Sequence, residues 1–354
     1  MTGPVHLSCD ALGRLMGEIL ARAGVPAGER EIVVEVLLEA TMAGYLSHGV
    51  MRVPLYVEAI RKGRIHPGVR PRVLRRSPSA LHLDAGHGLG PVSATEAVGR
   101  ATEMAASGGV GCVSVVRAAD VARLGSYVIE PAREGFVCLL LVNDAGGNPN
   151  VAPWGSTEPF LSTNPLAAGI PRRGAAPIVI DISTSVAAAG RLKMLAAEGR
   201  KAPGGWLIDG AGQPCSDPAA ALDVPPRAAL LPLGGMLAGH KGFALSLLVD
   251  VLAGALSGAG CSAGDLESSD RNGLFVLAVD PGHFLSREGF LDRVEEYVQR
   301  LKGLRTAPGV EEILVPGERA HRERERARAE GLHLDPGIWA PVRALMDELG
   351  LAEE

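Results

Sequence analysis

Three side chains with complementary chemistry are evenly spaced early in the chain: His48, Arg52 and Tyr56. A histidine exchanges a proton near neutral pH, and an arginine can hold a carboxylate through two parallel hydrogen bonds. If this stretch is helical, the spacing places all three side chains on one face, and Pro54 would remove one backbone hydrogen bond and bend the helix. With the tyrosine hydroxyl as a third contact, the combination suits a 2-oxo or 2-hydroxy acid. The simpler interpretation is an exposed histidine, a surface arginine and a core tyrosine.

The composition limits the class of protein. The 354 residues allow one large or two ordinary domains, and 47% hydrophobic against 21% charged residues is typical of a globular core. A net charge of −5 predicts no nucleic-acid partner and no anionic membrane surface as a partner. The sequence shows no signal-peptide pattern, and we expect no apolar run as long as a membrane span. A cytoplasmic protein is therefore expected.

The five cysteines are far apart and form no C-x-x-C pair. This spacing predicts neither a zinc site nor a redox pair, so no metal is expected. The odd count fits a reducing compartment. Cys112 and Cys138 lie in apolar runs, which predicts that they are small buried residues.

Hydrophobic spacing predicts a helical first block followed by a mixed region. Ser8 is a good N-cap for a helix over 9–23, a second helix is predicted over 27–43, and a third should end near residue 63. From about residue 72, short apolar runs predict strands over 80–84, 110–116, 136–142, 177–181 and 274–280. Further helices are predicted over 92–107, 124–133 and 241–256, and a run of mixed charge over 319–329 predicts an exposed helix.

A glycine-rich turn at Gly86, Gly88 and Gly90 follows the first of these strands. Its spacing is G-x-G-x-G, not the G-x-G-x-x-G of a Rossmann loop, and no acidic residue closes a strand about 20 residues later. A turn that packs on the first block is therefore favoured over a dinucleotide loop.

A hydroxyl-rich loop follows the strand predicted at 177–181. Asp181 ends that strand, and Ser183, Thr184 and Ser185 precede a predicted helix whose free N–H groups could receive a phosphate. The alternative is simple N-capping of the helix.

Other turns could contribute to the same pocket. Lys241 follows His240 between two glycines at the start of a predicted helix, where it could reach a phosphate as a point charge; the alternative is a solvated lysine. The turn at 316–318 could place the Glu318 carboxylate on a ribose, or it could be a plain turn. The turn-rich stretch 163–165 could line the pocket.

Taken in order, these motifs resemble those of the second, non-Rossmann type of the malate/L-lactate dehydrogenase family. Known members of that family include ureidoglycolate dehydrogenase, 2,3-diketo-L-gulonate reductase, sulfolactate dehydrogenase and piperideine-2-carboxylate reductase. The motifs that carry the resemblance are Ser47-His48-Gly49-Val50-x-Arg52-x-Pro54-x-Tyr56, Ala152-Pro153-Trp154-Gly155, Thr163-Asn164-Pro165-Leu166-Ala167, Asp181-x-Ser183-Thr184-Ser185, Gly205-Trp206-x-x-Asp209-x-x-Gly212 with Asp217-Pro218, Leu231-Pro232-Leu233-Gly234-Gly235 with Lys241-Gly242, and Val315-Pro316-Gly317-Glu318.

The resemblance implies an α+β fold in which a helical N- and C-terminal part packs on a large mixed, mostly antiparallel β-sheet that binds NAD(P). It implies a helical domain over 1–72, joined by C-terminal helices over 319–354, and a mixed NAD(P)-binding domain over 73–318. It also implies a homodimeric oxidoreductase that transfers a hydride between nicotinamide and a small 2-oxo or 2-hydroxy acid, with NAD or NADP as the cofactor.

The resemblance also implies roles for individual residues. His48 would donate the proton and Arg52 would bind the substrate carboxylate. Further substrate contacts are expected from Ser47, Tyr56, Asn143 and Thr163. Cofactor contacts are expected from Asn164, Pro165, Asp181, Ser183, Thr184, Ser185, His240, Lys241, Pro316, Gly317 and Glu318.

One position departs from the family pattern. The family has Asn-Ser-x-His before a helix, and its histidine faces the substrate, whereas alignment on the Arg123-Leu124-Gly125 stretch places Asp120 there. A carboxylate at this position would repel an acidic substrate unless it is protonated or paired, for instance with Arg117 or Arg123. It could instead attract an iminium or amine, and Asp144 adds a second carboxylate nearby. Asp120 is therefore a third catalytic candidate.

The departure leaves alternatives to a 2-oxo-acid reductase. The chain could be a cyclic imino-acid (ketimine) reductase, or a cofactor-binding homologue whose catalysis is weakened at Asp120. A site used for non-redox acid–base chemistry by His48 and Asp120 is a further alternative.

Overall fold

The computed structural model describes residues 4–145, 149–262 and 271–351. Three helices precede the central region: α1 (Cys9–Arg22), α2 (Ala27–Met42) and α3 (Arg52–Arg61). Four lie within it: α4 (Gly90–Gly108), α5 (Gly125–Arg133), α6 (Ala189–Ala197) and α7 (Gly235–Val249). Three follow it: α8 (Arg287–Lys302), α9 (Glu318–Glu330) and α10 (Pro336–Leu349).

The strands, in chain order, are β1 (Val5–Leu7), β2 (Arg72–Arg76), β3 (Ala80–Asp84), β4 (Val110–Ala118), β5 (Val137–Asp144), β6 (Leu166–Ile170), β7 (Ile178–Ile182), β8 (Leu207–Asp209), β9 (Pro214–Cys215), β10 (Ala228–Leu230), β11 (Asn272–Val279) and β12 (Leu332–Leu334). Seven of them form one sheet in the order β2-β3-β4-β11-β5-β6-β7. In this sheet β3 and β4 pair in parallel through α4, and the other described pairs are antiparallel. The predicted mixed, mostly antiparallel α+β fold is thus confirmed.

The first helices form where the sequence predicts them, because their caps and apolar stripes are strong. Ser8 accepts the N–H of Ala11 at 3.1 Å and caps α1. Leu12, Met16 and Ile19 on α1 are fully buried, and they belong to a hydrophobic core that also includes residues of β3, β4, β11 and α10. Because one core runs through the helices and the sheet, the proposed domain boundaries at 72 and 318 stay predictions.

The two ends of the described chain meet. β1 pairs antiparallel with β12, so that Val5 lies opposite Leu334, and α9 and α10 pack on the first three helices. The helix predicted over 319–329 was expected to be exposed, but α9 is only partly exposed. Arg324 on α9 is buried and pairs with Glu39 on α2. Residues 1–3 and 352–354, at the ends of the predicted helical domain, lie outside the described residues.

The His48 stretch differs from its predicted geometry. His48 ends a 3₁₀ turn, Leu46–His48, and α3 begins only at Arg52. His48 therefore does not share a helix face with Arg52 and Tyr56. Pro54 lies in the first turn of α3, where a backbone N–H has no helical partner to lose, so the expected bend is wrong.

The longest apolar helix corrects a further expectation. α7 continues into a π-helical segment, Asp250–Ala255, and Gly235–Ala255 has the length and mean hydropathy of a membrane-spanning helix, with 33% of its apolar window buried. The expectation that no segment reaches this length is therefore wrong. Ala238, with φ −140° and ψ 19°, interrupts the helix after its first turn.

Candidate active site

The turn that presents His48 is held by the end of α2. Val50 donates its N–H to Thr41 Oγ1 at 2.9 Å. A Cβ at Gly49 would lie 2.3 Å from the same oxygen, so this position needs glycine where the turn passes Thr41. The position of His48 is thereby fixed relative to the helical block.

Ser47 and Arg52 set the state of the His48 imidazole. Ser47 Oγ lies 3.0 Å from His48 Nδ1, and a hydroxyl can donate to or accept from that nitrogen. Burial, followed by the positive charge of Arg52, lowers the pKa of His48 from 6.5 to about 4, against the opposing charge of Asp120. The ring is therefore neutral at neutral pH, and its tautomer can follow the Ser47 hydroxyl.

Asp120 lies directly on the predicted substrate-binding residues. Arg52 Nη1 is 3.2 Å from Asp120 Oδ2, and the Tyr56 hydroxyl donates to the Asp120 backbone oxygen at 2.9 Å and lies 3.1 Å from Oδ1. The N–H of Ala122 also donates to Oδ1, at 3.1 Å. Arg52 Nε is buried and has no hydrogen-bond partner among the described residues.

This pairing corrects the expected partners of Asp120. Arg117 pairs with Asp84, with Nε 2.8 Å from Oδ1. Arg123 pairs with other carboxylates, described below. The guanidinium that compensates Asp120 is thus Arg52, the same group that is predicted to bind the substrate carboxylate.

The glycines of the turn at 86–90 explain how Asp120 comes so close. A Cβ at Gly90 would lie 1.9 Å from the Asp120 backbone oxygen, so only glycine allows α4 to start against this loop. Cβ atoms at Gly86 and Gly88 would each lie 2.9 Å from an atom of Val69. The turn therefore packs on the first block, as predicted, and on the Asp120 loop.

Behind the site lies a buried charge cluster formed by Glu39, Arg123, Asp181 and Arg324. Arg123, which is 3% exposed, lies 3.1 Å from Glu39 and 3.0 Å from Asp181, and its guanidinium stacks 4.2 Å from the Tyr45 ring centroid. Burial raises the pKa of Asp181, and the charge of Arg123 opposes that rise. The cluster joins α2, α9, the start of α5 and β7.

A cavity of about 390 Å³ opens beside the buried charge cluster. At its edge, the N–H of Val179 donates to Pro316 O at 3.0 Å, and Gly317 has a φ of +97° that favours glycine. The cavity brings together Asp181, Pro316 and Gly317 from the predicted cofactor residues, and its remaining lining residues are Tyr45, Arg123, Val179, Ile180, Ile182, Leu314, Val315, Arg319 and Ala320.

Glu318, predicted to contact a ribose, is held by other groups. Its carboxylate accepts from Lys302 Nζ at 2.7 Å and from the N–H of Val315 at 3.1 Å, and it lies 3.4 Å from Arg172. These bonds fix the turn at 316–318 against α8. The ribose contact of Glu318 stays a prediction.

Hydrogen bonds from its own side chains to nearby backbone oxygens hold the hydroxyl-rich loop in place. Thr184 Oγ1 donates to Thr163 O at 3.0 Å, and Ser185 Oγ donates to Ala187 O at 2.7 Å; both side chains are buried. α6 starts only at Ala189, so its free N–H groups do not directly follow the hydroxyls, contrary to the prediction. Ser183 is the hydroxyl residue of this loop that keeps partial exposure.

The segment after this loop brings it to the His48 turn. A Cβ at Gly190, in the first turn of α6, would lie 3.6 Å from Ser47 Cβ. The chain from Asp181 to Gly190 therefore spans from the cavity to the residue next to His48. The first block and the later β-rich region thus meet at the candidate site.

His240 and Lys241 lie just after the interruption of α7 at Ala238, and both are exposed. His240 packs edge-on against Trp154, with ring centroids 5.7 Å apart. Lys241 forms no ion pair with any residue that the structure describes. The N–H of Leu233, in the turn that precedes α7, donates to Thr184 O at 2.9 Å, which links this helix to the hydroxyl-rich loop.

Asn143, predicted to contact substrate, is fully buried. Its Nδ2 donates to Asp250 Oδ1 at 3.0 Å and to Gly260 O at 2.8 Å, and its Oδ1 accepts the N–H of Gly273 at 3.0 Å. The amide therefore joins β5, β11 and the π-helical segment. Its assignment to the substrate stays a prediction.

The stretch 163–165 runs alongside the hydroxyl-rich loop. Thr163 O accepts the N–H of Thr184 at 2.9 Å. Asn164 is fully buried, with Nδ2 donating to Ser246 Oγ at 3.1 Å and with no partner for Oδ1 in the described part of the chain. Pro165 is half-buried immediately before β6.

Sequence reasoning missed the residues that hold the site in place: Thr41, Glu39 and Arg324. Nothing in their spacing relates them, because Glu39 and Arg324 lie 285 positions apart.

The residues present fit a dinucleotide. The cavity beside Asp181 and the turn at 316–318 combines apolar side chains with Arg123, Asp181 and Arg319, and the exposed Lys241 elsewhere on the surface is a cation suited to a phosphate. Over residues 4–145, 149–262 and 271–351 no group of three or more His, Cys, Asp or Glu side chains could hold a metal, and all five cysteines are free.

Comparisons with known proteins agree with this geometry. A model of the malate/L-lactate dehydrogenase family matches residues 7–343. Malate dehydrogenase of Pyrococcus abyssi is 34% identical over 353 residues, which cover 98% of this chain and 96% of that protein. Delta(1)-pyrroline-2-carboxylate reductase of Pseudomonas fluorescens is 32% identical over 355 residues, covering 98% and 100%. The crystal structure of malate dehydrogenase from Entamoeba histolytica has a TM-score of 0.92 at 27% identity, over 99% of both chains.

The fold and the family match define a nicotinamide-dependent oxidoreductase outside the Rossmann class. The chain belongs to the malate/L-lactate dehydrogenase family, which confirms the resemblance found from its ordered motifs. It is accordingly a hydroxy-acid dehydrogenase that uses NAD or NADP.

Proposed function

We propose that His48 exchanges the substrate proton and that Arg52 anchors the substrate carboxylate in this dehydrogenase. The observation that carries the proposal is the contact of the Ser47–His48 turn with the chain segment that leaves the hydroxyl-rich loop, at Gly190. When bound, NAD or NADP supplies hydride transfer to or from C2 of the substrate.

The His48 ring can work in both directions of the reaction by changing its protonation state. With a pKa of about 4 it is ready to accept the proton of a 2-hydroxy acid at neutral pH. In the opposite direction, the proton given to a carbonyl oxygen comes from the doubly protonated ring, which the negative charge of Asp120 favours and which returns to the neutral form after the transfer. Ser47 Oγ can accept a hydrogen bond from Nδ1–H in both protonation states, which leaves Nε2 free to take up or give the substrate proton.

We propose that the cofactor lies along the cavity beside Asp181 and the turn at 316–318 and extends to the His48 turn. Ser183 is partly exposed and Lys241 is exposed, and a hydroxyl and a cation in these positions would contact phosphate oxygens. Thr184, Ser185 and Asn164 are buried and would shape the loop and not touch the cofactor with their side chains.

We also propose that the enzyme is a homodimer and that α7 with its π-helical extension forms the contact. Large apolar side chains there are exposed, with Leu237 at 95%, Leu247 at 50% and Leu248 at 52%. Several exposed large apolar side chains on one helix favour burial against another protein surface. Leu248→Glu should shift the mass measured by light scattering from dimer to monomer, whereas Leu304→Glu, at an exposed leucine outside this face, should not.

The proposal includes a cytoplasmic location, a small carboxylate substrate and no nucleic-acid partner. It is supported by the net charge of −5 and by five free cysteines, which suit a reducing compartment.

The roles of His48 and Ser47 are tested by steady-state kinetics with NADH and NADPH on a panel of 2-oxo and 2-hydroxy acids. His48→Ala should lower kcat by ~10²–10⁴-fold, and Ser47→Ala should lower kcat with little change in cofactor affinity. The control is His333→Ala, at an exposed histidine of β12. Unchanged kcat in His48→Ala would sink the catalytic assignment.

A further inference from the structure

Within the candidate site, the Arg52 guanidinium faces the Asp120 carboxylate. Asp120 Oδ2 lies 3.2 Å from Arg52 Nη1, and the two side chains keep 31% and 23% of their surface exposed. Because the His48 ring is neutral, the charges of Arg52 and Asp120 cancel before any substrate binds. A simple anionic substrate would therefore add an uncompensated negative charge next to Asp120.

Both members of the pair retain hydrogen-bonding capacity. A carboxylate has about four lone-pair sites, and those of Asp120 receive Arg52, the Ala122 N–H and the Tyr56 hydroxyl. One position on Oδ2 is thus left for a further donor. On the other side, Arg52 Nε is buried without a partner in the described chain, so it can still donate to a carboxylate.

We propose that Asp120 makes this site select a substrate that carries a cationic nitrogen next to its carboxylate. The inference rests on the proposed function and adds to it the substrate class. The substrate carboxylate binds Arg52, the nitrogen cation binds Asp120, and the bound site is electrically neutral. A dicarboxylate is the least suitable ligand, because its second carboxylate would face the Asp120 carboxylate.

The chemistry of a protonated imine fits the same site. When its C=N carbon receives a hydride from the reduced nicotinamide, the π electron pair moves to nitrogen, and the amine forms without a further proton. A carbonyl reduced in the same way needs a proton at oxygen, and His48 would first have to take up that proton, because its ring is neutral at neutral pH. A substrate that brings its own proton on nitrogen lowers that demand.

The test compares kcat/KM of the full chain on three probes with NADH and NADPH: pyrroline-2-carboxylate as a cyclic imino acid, pyruvate as a 2-oxo monocarboxylate, and oxaloacetate as a dicarboxylate. The wild type should favour the imino acid and disfavour oxaloacetate. Asp120→Asn should lower the ratio of imino-acid to pyruvate kcat/KM by ~10–100-fold, the usual effect of losing a hydrogen bond to a charged group. Asp120→Glu, which keeps the charge, should retain more of the ratio.

The matched control is Asp292→Asn, which removes a carboxylate from the exposed face of α8. It should leave all three values unchanged. Fluorescence titration with NADPH and thermal unfolding establish that each variant is folded. Should Asp120→Asn fail to fold, the ratio of imino-acid to pyruvate kcat/KM is compared in Asp120→Glu and Asp120→Ser instead, and a lower ratio in Asp120→Ser supports the role of Asp120.

An unchanged ratio in a folded Asp120→Asn, with 2-oxo acids still reduced by the wild type, overturns the role of Asp120 and leaves the proposed function in place. A wild type that binds cofactor but reduces none of the three probes, and oxidises no 2-hydroxy acid, overturns both.

Discussion

Two regions of the molecule pair guanidiniums with carboxylates, and they differ in exposure. Arg52 and Asp120 are 23% and 31% exposed, whereas Arg123 and Arg324 in the buried charge cluster are 3% and 5% exposed. Water supports the separated charges of an exposed pair, so such a pair can open for a ligand at little cost. Opening a buried pair leaves an uncompensated charge in a low-dielectric interior. The partly exposed Arg52–Asp120 pair is therefore suited to binding a ligand, whereas the buried charge cluster is suited to holding the surrounding elements in place.

The two regions are also connected. Arg123 contributes to the lowered pKa of His48 and at the same time holds Asp181 at the cavity edge. The buried charge cluster thus fixes the distance between the His48 turn and the cavity, while the Arg52–Asp120 pair faces the substrate. Changes in the two regions should therefore affect different measurements.

The largest effect is expected from Arg123→Leu. This change leaves the carboxylates of Glu39 and Asp181 buried with less compensation, and it should lower the free energy of unfolding by about 3–5 kcal/mol, measured by urea denaturation. The control is Arg133→Leu at the last residue of α5, the helix that follows Arg123; its side chain is about half exposed, and about 1 kcal/mol or less is expected. Equal losses in the two variants would contradict the distinction between the regions.

Arg52→Leu should show the opposite profile. The loss of a charged hydrogen bond to the substrate carboxylate should reduce kcat/KM by ~10–100-fold, while the free energy of unfolding changes by no more than about 1 kcal/mol because the pair is partly exposed. Kinetics and urea denaturation on the same preparation make the comparison. A large loss of stability with normal kcat/KM would reverse the roles given to the two regions.

Thr41→Val tests how far the His48 turn depends on α2. The Val50 N–H loses its acceptor, which should cost about 1 kcal/mol in unfolding free energy and reduce kcat as His48 shifts. The control is Thr102→Val on α4, whose hydroxyl donates only to a carbonyl of its own helix. That change should lower stability less and leave kcat unaltered.

The smallest expected effect is the contribution of His48 to the pH dependence of the unfolding free energy. Because its folded pKa is lowered to about 4 from 6.5, the folded state binds fewer protons than the unfolded state between these values. Stability is therefore full above pH 6.5 and is lost as the pH falls towards 4. His48→Gln should lose less stability across this window than the wild type, as measured by thermal unfolding, whereas His333→Gln should follow the wild type.

Much of the fold was predictable because the local signals were strong. The predicted helix over 9–23 is observed at Cys9–Arg22, and the predicted strand over 80–84 at Ala80–Asp84. β6 was not predicted, because its sequence is rich in alanine and glycine, which have low strand propensity. The structure gives the reason for one of these residues: a Cβ at Gly169 would lie 2.1 Å from Val128 O on α5.

The sequence predicted which residues form the candidate site better than it predicted which of these residues contact each other. His48, Arg52 and Asp120 were singled out from motifs, and the structure places the last two in an ion pair. The expected partners of Asp120, Arg117 and Arg123, were wrong, because sequence proximity says little about which side chains meet across a loop. The four-residue spacing of His48 and Arg52 suggested a shared helix face, but a 3₁₀ turn presents His48.

The sequence by itself determined most of the long helices and strands and the identity of the family, because caps, apolar periodicity and ordered motifs are local properties that can be recognised without coordinates. Only the tertiary structure decided that Asp120 compensates Arg52 and that Glu39 meets Arg324 from 285 positions away. Electrostatic partners are chosen by distance in space and by burial, and neither quantity is written in the order of residues.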